Sequence, residues 1–212
     1  MNALQSGGAI AAEPSTLAGV VWPVRARAAL RAAALVFAGV ALMTIAAKVK
    51  VPFPPVPVTL QTLAVPLIAA ALGARLGTAT ILAYLAAGFA GLPVFTNTPP
   101  LAAGPFYFLG PTGGYLLAYP LAAWIVGSFA QSPAGRSLPA LFGAMMLGGV
   151  VVFACGFLWL AFVAQLATGV GLGAKAAWLA GVQPFLLPDL VKIALAAALI
   201  RAGWAIVEKV RA

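Results

Sequence analysis

The sequence predicts an all-α integral membrane protein with six transmembrane helices. Hydrophobic residues make up 64% of the 212 residues and charged residues only 7%, whereas a soluble domain carries about 25% charged residues. The apolar residues fall into six segments separated by prolines, glycines and the few charges, as expected of helices that cross a bilayer. This length has room for six spans with short connections and none for a soluble domain.

The six segments give the predicted helices in chain order: residues 26–47, 58–72, 76–92, 114–131, 139–166 and 188–207. The second segment, of about 15 residues, is shorter than the ~20 that a straight span needs. Residues 1–24 are small, polar and interrupted by prolines, without the basic start of a signal peptide. We therefore predict a short, poorly ordered cytoplasmic tail over 1–24 and a single membrane domain over 25–212.

Two connections are unusual. Residues 48–57 contain four prolines, at positions 52, 54, 55 and 57, and must form a stiff, extended loop because proline does not fit a helix interior. Such an apolar loop suits a lid over a pocket, or alternatively a loop packed on lipid headgroups. Residues 93–113 are long, aromatic and uncharged, so we expect them to fold back onto the helices.

Basic residues concentrate at one end of the predicted bundle. With six spans, both termini share a side that holds eight basic residues, and the opposite side holds four. These are Arg25, Arg27, Arg31, Arg75, Arg136, Arg201, Lys209 and Arg211 against Lys48, Lys50, Lys175 and Lys192. The positive-inside rule therefore predicts cytoplasmic termini and outward-facing long connections. The net charge of +9 is scattered over segment ends, which indicates topology signals and anionic-lipid contacts and not nucleic-acid binding.

The titratable residues exclude most enzyme classes. There is no histidine, and the acids are Glu13, Asp189 and Glu208. A Ser-His-Asp triad and a histidine zinc site are impossible, so we expect neither an enzyme nor a metal or cofactor site. The chain lacks a Gly-x-x-x-x-Gly-Lys-Ser/Thr motif, so any ATPase would be another chain. The single Cys155 lies in an apolar run, and we expect a buried, inert thiol.

The chain's only aspartate, Asp189, lies three residues before Lys192 at the start of the last segment. Both charges fall on one side of a helix, where they are costly unless they pair or hold a ligand. We favour a ligand site near the outer face; the alternative is an internal ion pair that only tethers the helix end. The candidate polar groups that would complete a mostly apolar pocket for a small amphipathic molecule are Asn97, Gln61, Thr59, Tyr84, Tyr115 and Tyr107.

Four motifs resemble the BioY family of biotin-specific S-components of energy-coupling factor (ECF) transporters. They are residues 55–62 (Pro-Val-Pro-Val-Thr-Leu-Gln-Thr), 91–95 (Gly-Leu-Pro-Val-Phe), 110–116 (Gly-Pro-Thr-Gly-Gly-Tyr-Leu) and 188–192 (Pro-Asp-Leu-Val-Lys). The resemblance implies the six-helix S-component fold and high-affinity capture of biotin outside a bacterial cytoplasmic (inner) membrane. It implies that a transmembrane T-component and ATP-binding-cassette ATPases complete the transporter, with ATP used only by those partners.

The resemblance also assigns roles to residues. It implies that Asp189 and Lys192 bind the ureido ring of biotin, and that Asn97 lies near the ligand. The small-residue face of the first helix, with Ala29 and Ala33, is implied to dock the T-component. No arginine lies on the predicted outer side, so Lys48, Lys50, Lys175 or a hydroxyl would meet the biotin carboxylate.

Two alternatives remain. In the first, the chain has the S-component fold, but its pocket binds a vitamin other than biotin. It would transport biotin by itself if a proton or sodium gradient drove it, although the sequence shows no second buried acid and no matching pair of broken helices.

Overall fold

The computed structural model describes residues 16–21, 28–166 and 169–211. The helices are α1 (Leu17–Val21), α2 (Ala28–Lys48), α3 (Gln61–Leu72), α4 (Ala74–Phe89), α5 (Gly113–Ala130), α6 (Leu138–Phe162), α7 (Ala174–Gly181) and α8 (Leu186–Arg211). Short 3-10 helices cover Pro105–Leu109, Pro133–Arg136 and Gln183–Phe185. Two small antiparallel sheets pair β1 (Lys50–Val51) with β2 (Val58–Thr59), and β3 (Gln165–Leu166) with β4 (Gly169–Val170).

Four helical stretches are long and apolar enough to cross a membrane: Ala28–Lys48, Gly113–Ala130, Leu138–Phe162 and Ala174–Val210. The two remaining apolar helices, α3 and α4, have 12 and 16 residues. Each of the six predicted segments therefore forms a helix near its predicted position. The bilayer favours this outcome, since a helix satisfies its backbone hydrogen bonds internally where no water is available.

Helix α5 forms the centre of the bundle and packs against α3, α4 and α6. Its inward side is built from small and aromatic residues, including Ala123, Val126 and Tyr119, which are at most 4% exposed. The outer faces of the other helices carry exposed aliphatic and aromatic side chains such as Phe37 and Leu158. A bundle with a close-packed interior and an apolar exterior is typical of a protein surrounded by lipid.

The turn between α3 and α4 requires a glycine. Gly73 has φ 82°, and a Cβ there would lie 2.8 Å from atoms of both Thr16 and Gln131. The Gln131 side chain stabilises the same turn, because its Oε1 accepts a hydrogen bond of 2.9 Å from the backbone N–H of Ala74. The turn holds the starts of α1 and α4 close to the end of α5.

Most basic residues of the described chain cluster at this end of the bundle. The Arg31 guanidinium donates to the carbonyl of Ala18 at 2.7 Å, and Arg136 lies over the Trp204 ring at 4.5 Å from its centroid. The long connections and the start of α8 lie at the opposite end. This separation of the basic residues from the long connections agrees with the predicted charge asymmetry. Arg25 and Arg27 lie outside the described residues.

Three expectations need correction. Residues 17–21 of the supposedly disordered tail form helix α1, which packs against α3 and α8. Cys155 is exposed on the apolar outer surface of α6 and not buried. The fifth segment ends as a helix at Phe162, three residues before the β3–β4 hairpin begins, and helix α7 lies between that hairpin and α8. Apolar content alone does not distinguish a side chain that faces lipid from one that faces the core.

Candidate functional site

A cavity lies between the starts of α3, α5 and α8, under the two long connections. It encloses about 500 Å³ of empty space, its opening included. Its lining residues are Val56, Pro57, Thr59, Gln61, Thr62, Phe95, Thr96, Tyr107, Thr112, Tyr115, Leu116, Tyr119, Phe153, Phe185, Asp189 and Lys192. Aromatic and aliphatic walls with a few polar groups are the usual form of a small-molecule site.

The first turn of α8 brings Asp189 and Lys192 together as the sequence predicts. Lys192 Nζ lies 2.6 Å from Asp189 Oδ1 and donates to the Thr59 carbonyl at 2.7 Å and to Thr62 Oγ1 at 3.2 Å. An ammonium has three N–H donors, so these three acceptors use all of them. The lysine therefore ties α8 to the start of α3 as well as neutralising the aspartate.

Asp189 is only half satisfied. Its Oδ1 accepts from Lys192 at 2.6 Å and from Thr62 Oγ1 at 2.9 Å. Its Oδ2 is buried and has no hydrogen-bond partner among the residues that the structure describes, although the residue is only 2% exposed. Leaving a buried carboxylate oxygen unpaired is costly. An ion pair that served only to tether the helix would have no reason to leave it open, so this oxygen favours a ligand donor.

Gln61 and Tyr84 form a separate network beside the cavity. Gln61 Nε2 donates to the Tyr84 hydroxyl at 3.0 Å, and that hydroxyl donates to the Val94 carbonyl at 3.2 Å. Gln61 lines the cavity, whereas Tyr84 is 0% exposed and lies one layer behind it. Tyr84 is displaced from the surface because residues 94–95 fold over it, with the Phe95 ring edge-on at 5.5 Å.

Two lysines hold the connection between α4 and α5. Lys48 Nζ donates to the carbonyl of Phe95 at 2.6 Å and to the carbonyl of Thr98. Lys50 Nζ donates to the Thr96 carbonyl at 3.0 Å and to Asn97 Oδ1 at 2.6 Å. Asn97 does not reach the main cavity and lines an outer pocket beside it. Lys175, the third lysine considered for a substrate anion, is exposed on α7.

Aromatic side chains set the shape of the cavity. Phe95 stacks on Tyr107 with ring centroids 4.7 Å apart and packs edge-on against Tyr84 of α4 at 5.5 Å, which confirms that the uncharged connection folds back onto the helices. Burial raises the pKa of the Tyr107 phenol, so this group stays neutral. The Tyr115 hydroxyl donates to the Gly181 carbonyl at 2.8 Å, and the ring rests on Gly156, where a Cβ would lie 2.2 Å from it.

Sequence reasoning missed Thr96, Tyr119 and Phe153, all of which line the cavity. Tyr119 follows Tyr115 by four residues on α5, and this spacing places both on one helix face, a signal that would have identified it. Thr96 directly follows the 91–95 motif, but adjacency alone does not show where its side chain lies. Phe153 gave no signal among the many apolar residues of α6.

A second cavity of about 380 Å³ lies farther along the helices and is almost entirely apolar. Its walls include Val65, Ala122 and Met145, and it shares Thr62, Tyr119, Phe153 and Asp189 with the first cavity. The four shared residues therefore mark the inner end of the main cavity. The predicted docking residues Ala29 and Ala33 are distant from both cavities and lie exposed on α2.

Comparison with known proteins identifies the family. The model of the BioY family matches residues 18–209. A probable biotin transporter BioY from Pyrococcus horikoshii is 39% identical over 158 residues, which cover 74% of this chain and 86% of that protein. Biotin transporter BioY2 from Lactococcus lactis is 34% identical over 161 residues, covering 76% and 83%. Biotin transporter BioY from Thermotoga maritima is 34% identical over 165 residues, covering 77% and 90%.

A solved structure supports the architecture independently. The crystal structure of the S-component for biotin from an ECF-type ABC transporter matches with a TM-score of 0.71 and 22% identity, over 84% of this chain and 93% of that one. The fold is therefore that of an S-component, and the family is one of transporters and not of enzymes. Since the family model spans nearly the whole chain and relatives above 30% identity cover most of it, this chain belongs to the BioY family.

Proposed function

We propose that this protein captures biotin at the outer face of the membrane, as the substrate-binding subunit of an ECF-type transporter. The names of its relatives support the substrate, and the similar solved structure supports the fold. The observation that carries the proposal is the buried, unpaired Oδ2 of Asp189 in an otherwise mostly apolar cavity. Such a site accepts a ligand that offers an N–H group from a compact apolar body.

The ureido group of biotin fits this requirement, because it has two N–H donors and one carbonyl acceptor. One N–H would donate to Asp189 Oδ2, which needs no rearrangement. Lys192 would contact the ureido carbonyl by exchanging one of its three present acceptors, of which Thr62 Oγ1 at 3.2 Å is the most distant. Gln61 and Tyr115 would border the ligand as wall residues. Asn97 and Tyr84 would support it indirectly, through Lys50 and through Gln61.

We further propose six membrane spans, with both termini on the cytoplasmic side of a bacterial inner membrane. Support comes from the four long apolar stretches, the two shorter apolar helices between them, and the basic residues gathered at one end. Residues 52–57 and 93–112 would then cover the site from outside. Val56 and Pro57 from the first connection, and Phe95 from the second, supply its outer walls.

Energy for uptake would come from partner chains: a transmembrane T-component and a pair of ATP-binding-cassette ATPases that alone use ATP. This chain would need no cofactor, and biotin would be its transported substrate. The T-component would dock on α2 at Ala29 and Ala33, whose small exposed side chains allow close approach of another helix.

Equilibrium binding of biotin to the detergent-purified protein tests the proposal. Asp189→Asn is compared with the wild type and with Glu208→Gln, a matched acid-to-amide change at an exposed position at the other end of α8. Loss of a hydrogen bond to a charged acceptor costs about 1.5–3 kcal/mol, so we expect the Kd of Asp189→Asn to rise about 10- to 150-fold, with no change for Glu208→Gln.

Failure of the folded wild type to bind biotin would overturn the proposed substrate, and titration with other vitamins would then identify the ligand. Tight binding retained by Asp189→Asn would keep the substrate but remove Asp189 from the contact. Uptake by the chain alone in proteoliposomes, without ATPase partners, would show that it is a self-sufficient transporter.

A further inference from the structure

Thr96 is the second unsatisfied polar group of the main cavity. It is 6% exposed, lines the cavity, and its Oγ1 has no hydrogen-bond partner within the described part of the chain. A buried hydroxyl is almost always hydrogen-bonded. Thr98, two residues later, shows the usual arrangement, because its Oγ1 donates to the Phe95 carbonyl at 2.9 Å. Thr96 therefore differs from its neighbour in keeping a free hydroxyl at the cavity wall.

The surroundings of Thr96 are positively charged. Lys50 Nζ lies 3.0 Å from the Thr96 carbonyl, and Lys48 Nζ lies 2.6 Å from the carbonyl of the preceding Phe95. These lysines contact backbone carbonyls and the Thr98 and Asn97 side chains, and no acid side chain of the described residues pairs with them. The segment 95–98 is therefore held between two cations whose charge is not neutralised by a carboxylate.

The two unsatisfied groups have different chemistry. Asp189 Oδ2 is a carboxylate oxygen that only accepts hydrogen bonds, so it excludes an anionic ligand group. The Thr96 hydroxyl is able to donate, and the nearby lysines favour an anion. Asp189 and Thr96 also reach the cavity from different elements, α8 and the connection between α4 and α5. Asp189 borders the inner cavity as well, and Thr96 does not.

We propose that Thr96 recognises the carboxylate of the substrate, donating its hydroxyl to that group in the field of Lys48 and Lys50. This assignment rests on the proposed function, since it takes biotin as the ligand. It orients the substrate with its N–H-bearing head at Asp189 and its anionic tail at residues 95–98. Thr96 is then a specificity-determining residue that selects a ligand with an acid at the far end of its chain.

The test measures the Kd of biotin and of a neutral analogue in which a methyl group replaces the carboxylate. Thr96→Val removes the hydroxyl at nearly constant volume, Thr96→Ser retains it, and Thr80→Val is the matched control. Thr80 is also buried, but its hydroxyl donates to the Leu76 carbonyl of its own helix at 2.8 Å and lies outside both cavities.

We expect Thr96→Val to raise the Kd for biotin about tenfold or more, as a hydrogen bond to a charged acceptor requires, and to leave the Kd of the neutral analogue within about twofold of the wild type. Thr96→Ser and Thr80→Val are expected to bind both ligands like the wild type. An equal loss for both ligands in Thr96→Val would overturn the carboxylate contact, and so would unchanged biotin binding. Failure of the wild type to bind biotin would instead refute the proposed function.

Two variants of Lys50 test the same contact without changing a buried residue. Lys50→Arg keeps the charge beside Thr96, and Lys50→Gln removes it at a position whose side chain is exposed. We expect Lys50→Gln to weaken biotin binding more than binding of the neutral analogue, with Lys50→Arg close to the wild type. The same loss for both ligands would contradict the proposed field of the two lysines.

Discussion

Replacing Lys192 by methionine separates the structural role of this lysine from its role at the ligand. The ammonium makes contacts of 2.6 Å, 2.7 Å and 3.2 Å with Asp189, Thr59 and Thr62, and the two charged side chains are 11% and 3% exposed. Methionine has a similar length and no charge, so the variant leaves Asp189 as a buried carboxylate without a counter-charge. Breaking one side of a buried pair costs about 3–5 kcal/mol, and we expect a loss of stability of that size.

The double variant Asp189→Leu/Lys192→Met is the informative control. Replacing both members of a buried ion pair by apolar residues is often neutral or stabilising, so we expect the double variant to regain most of the stability that Lys192→Met loses. It will not regain biotin binding, because the acceptor at Asp189 is gone. Unfolding midpoints of the detergent-purified proteins and biotin Kd values provide the two measurements. A Lys192→Met protein as stable as the wild type, or a double variant as unstable as the single one, would refute this reasoning.

Three further changes test other parts of the structure. Gly156→Ala places a Cβ 2.2 Å from the Tyr115 ring, and we expect it to lower stability by about 1–3 kcal/mol. The control is Gly143→Ala in the same helix, where a Cβ meets nothing within 4 Å. We expect this control to be neutral or slightly stabilising when the two variants are compared by thermal unfolding. Tyr119→Phe removes the hydroxyl of a residue that lines both cavities, so biotin Kd should rise about three- to tenfold without loss of stability. Ala33→Leu enlarges an exposed side chain on α2, and we expect normal biotin binding but loss of co-purification with the proposed T-component.

Each of these predictions has a result that contradicts it. Equal unfolding midpoints for Gly156→Ala and Gly143→Ala would show that Tyr115 is not tightly packed on α6. A destabilised Tyr119→Phe protein would mean that the hydroxyl serves the fold. If Ala33→Leu assembles with the proposed T-component as well as the wild type does, Ala33 is not part of the docking surface.

The helices were predictable because a bilayer admits few alternatives. Apolar segments bounded by prolines, glycines and charges identified both ends of α2 to α6 and of α8 to within four residues. Helix α1 was missed because its stability comes from packing on α3 and α8, which a local pattern does not show. The burial of Cys155 was wrong for a related reason: a lipid-facing residue and a core residue have the same composition.

The site was predictable only where charge is rare. Asp189 and Lys192 were identified because a carboxylate and an ammonium in an apolar helix need a reason, and the structure brings them together at the cavity. The depth of Tyr84 depends on how residues 94–95 fold over it, and the free hydroxyl of Thr96 depends on where the lysines hold the backbone. Both follow from contacts between residues distant in sequence. The binding roles of the chosen residues stay predictions.

The shortness of α3 and α4 has a consequence for the surrounding lipid. At about 1.5 Å per residue, helices of 12 and 16 residues are about 18 and 24 Å long, less than the ~30 Å of a typical hydrocarbon core. In the proposed six-span arrangement, the apolar connections beside them, with Phe106 84% exposed and Leu101 56% exposed, would fill the missing depth, and the cavity mouth would lie below the headgroup level on this side. In that arrangement bilayer thickness would affect ligand capture, so affinities should be compared in lipids of the same acyl-chain length.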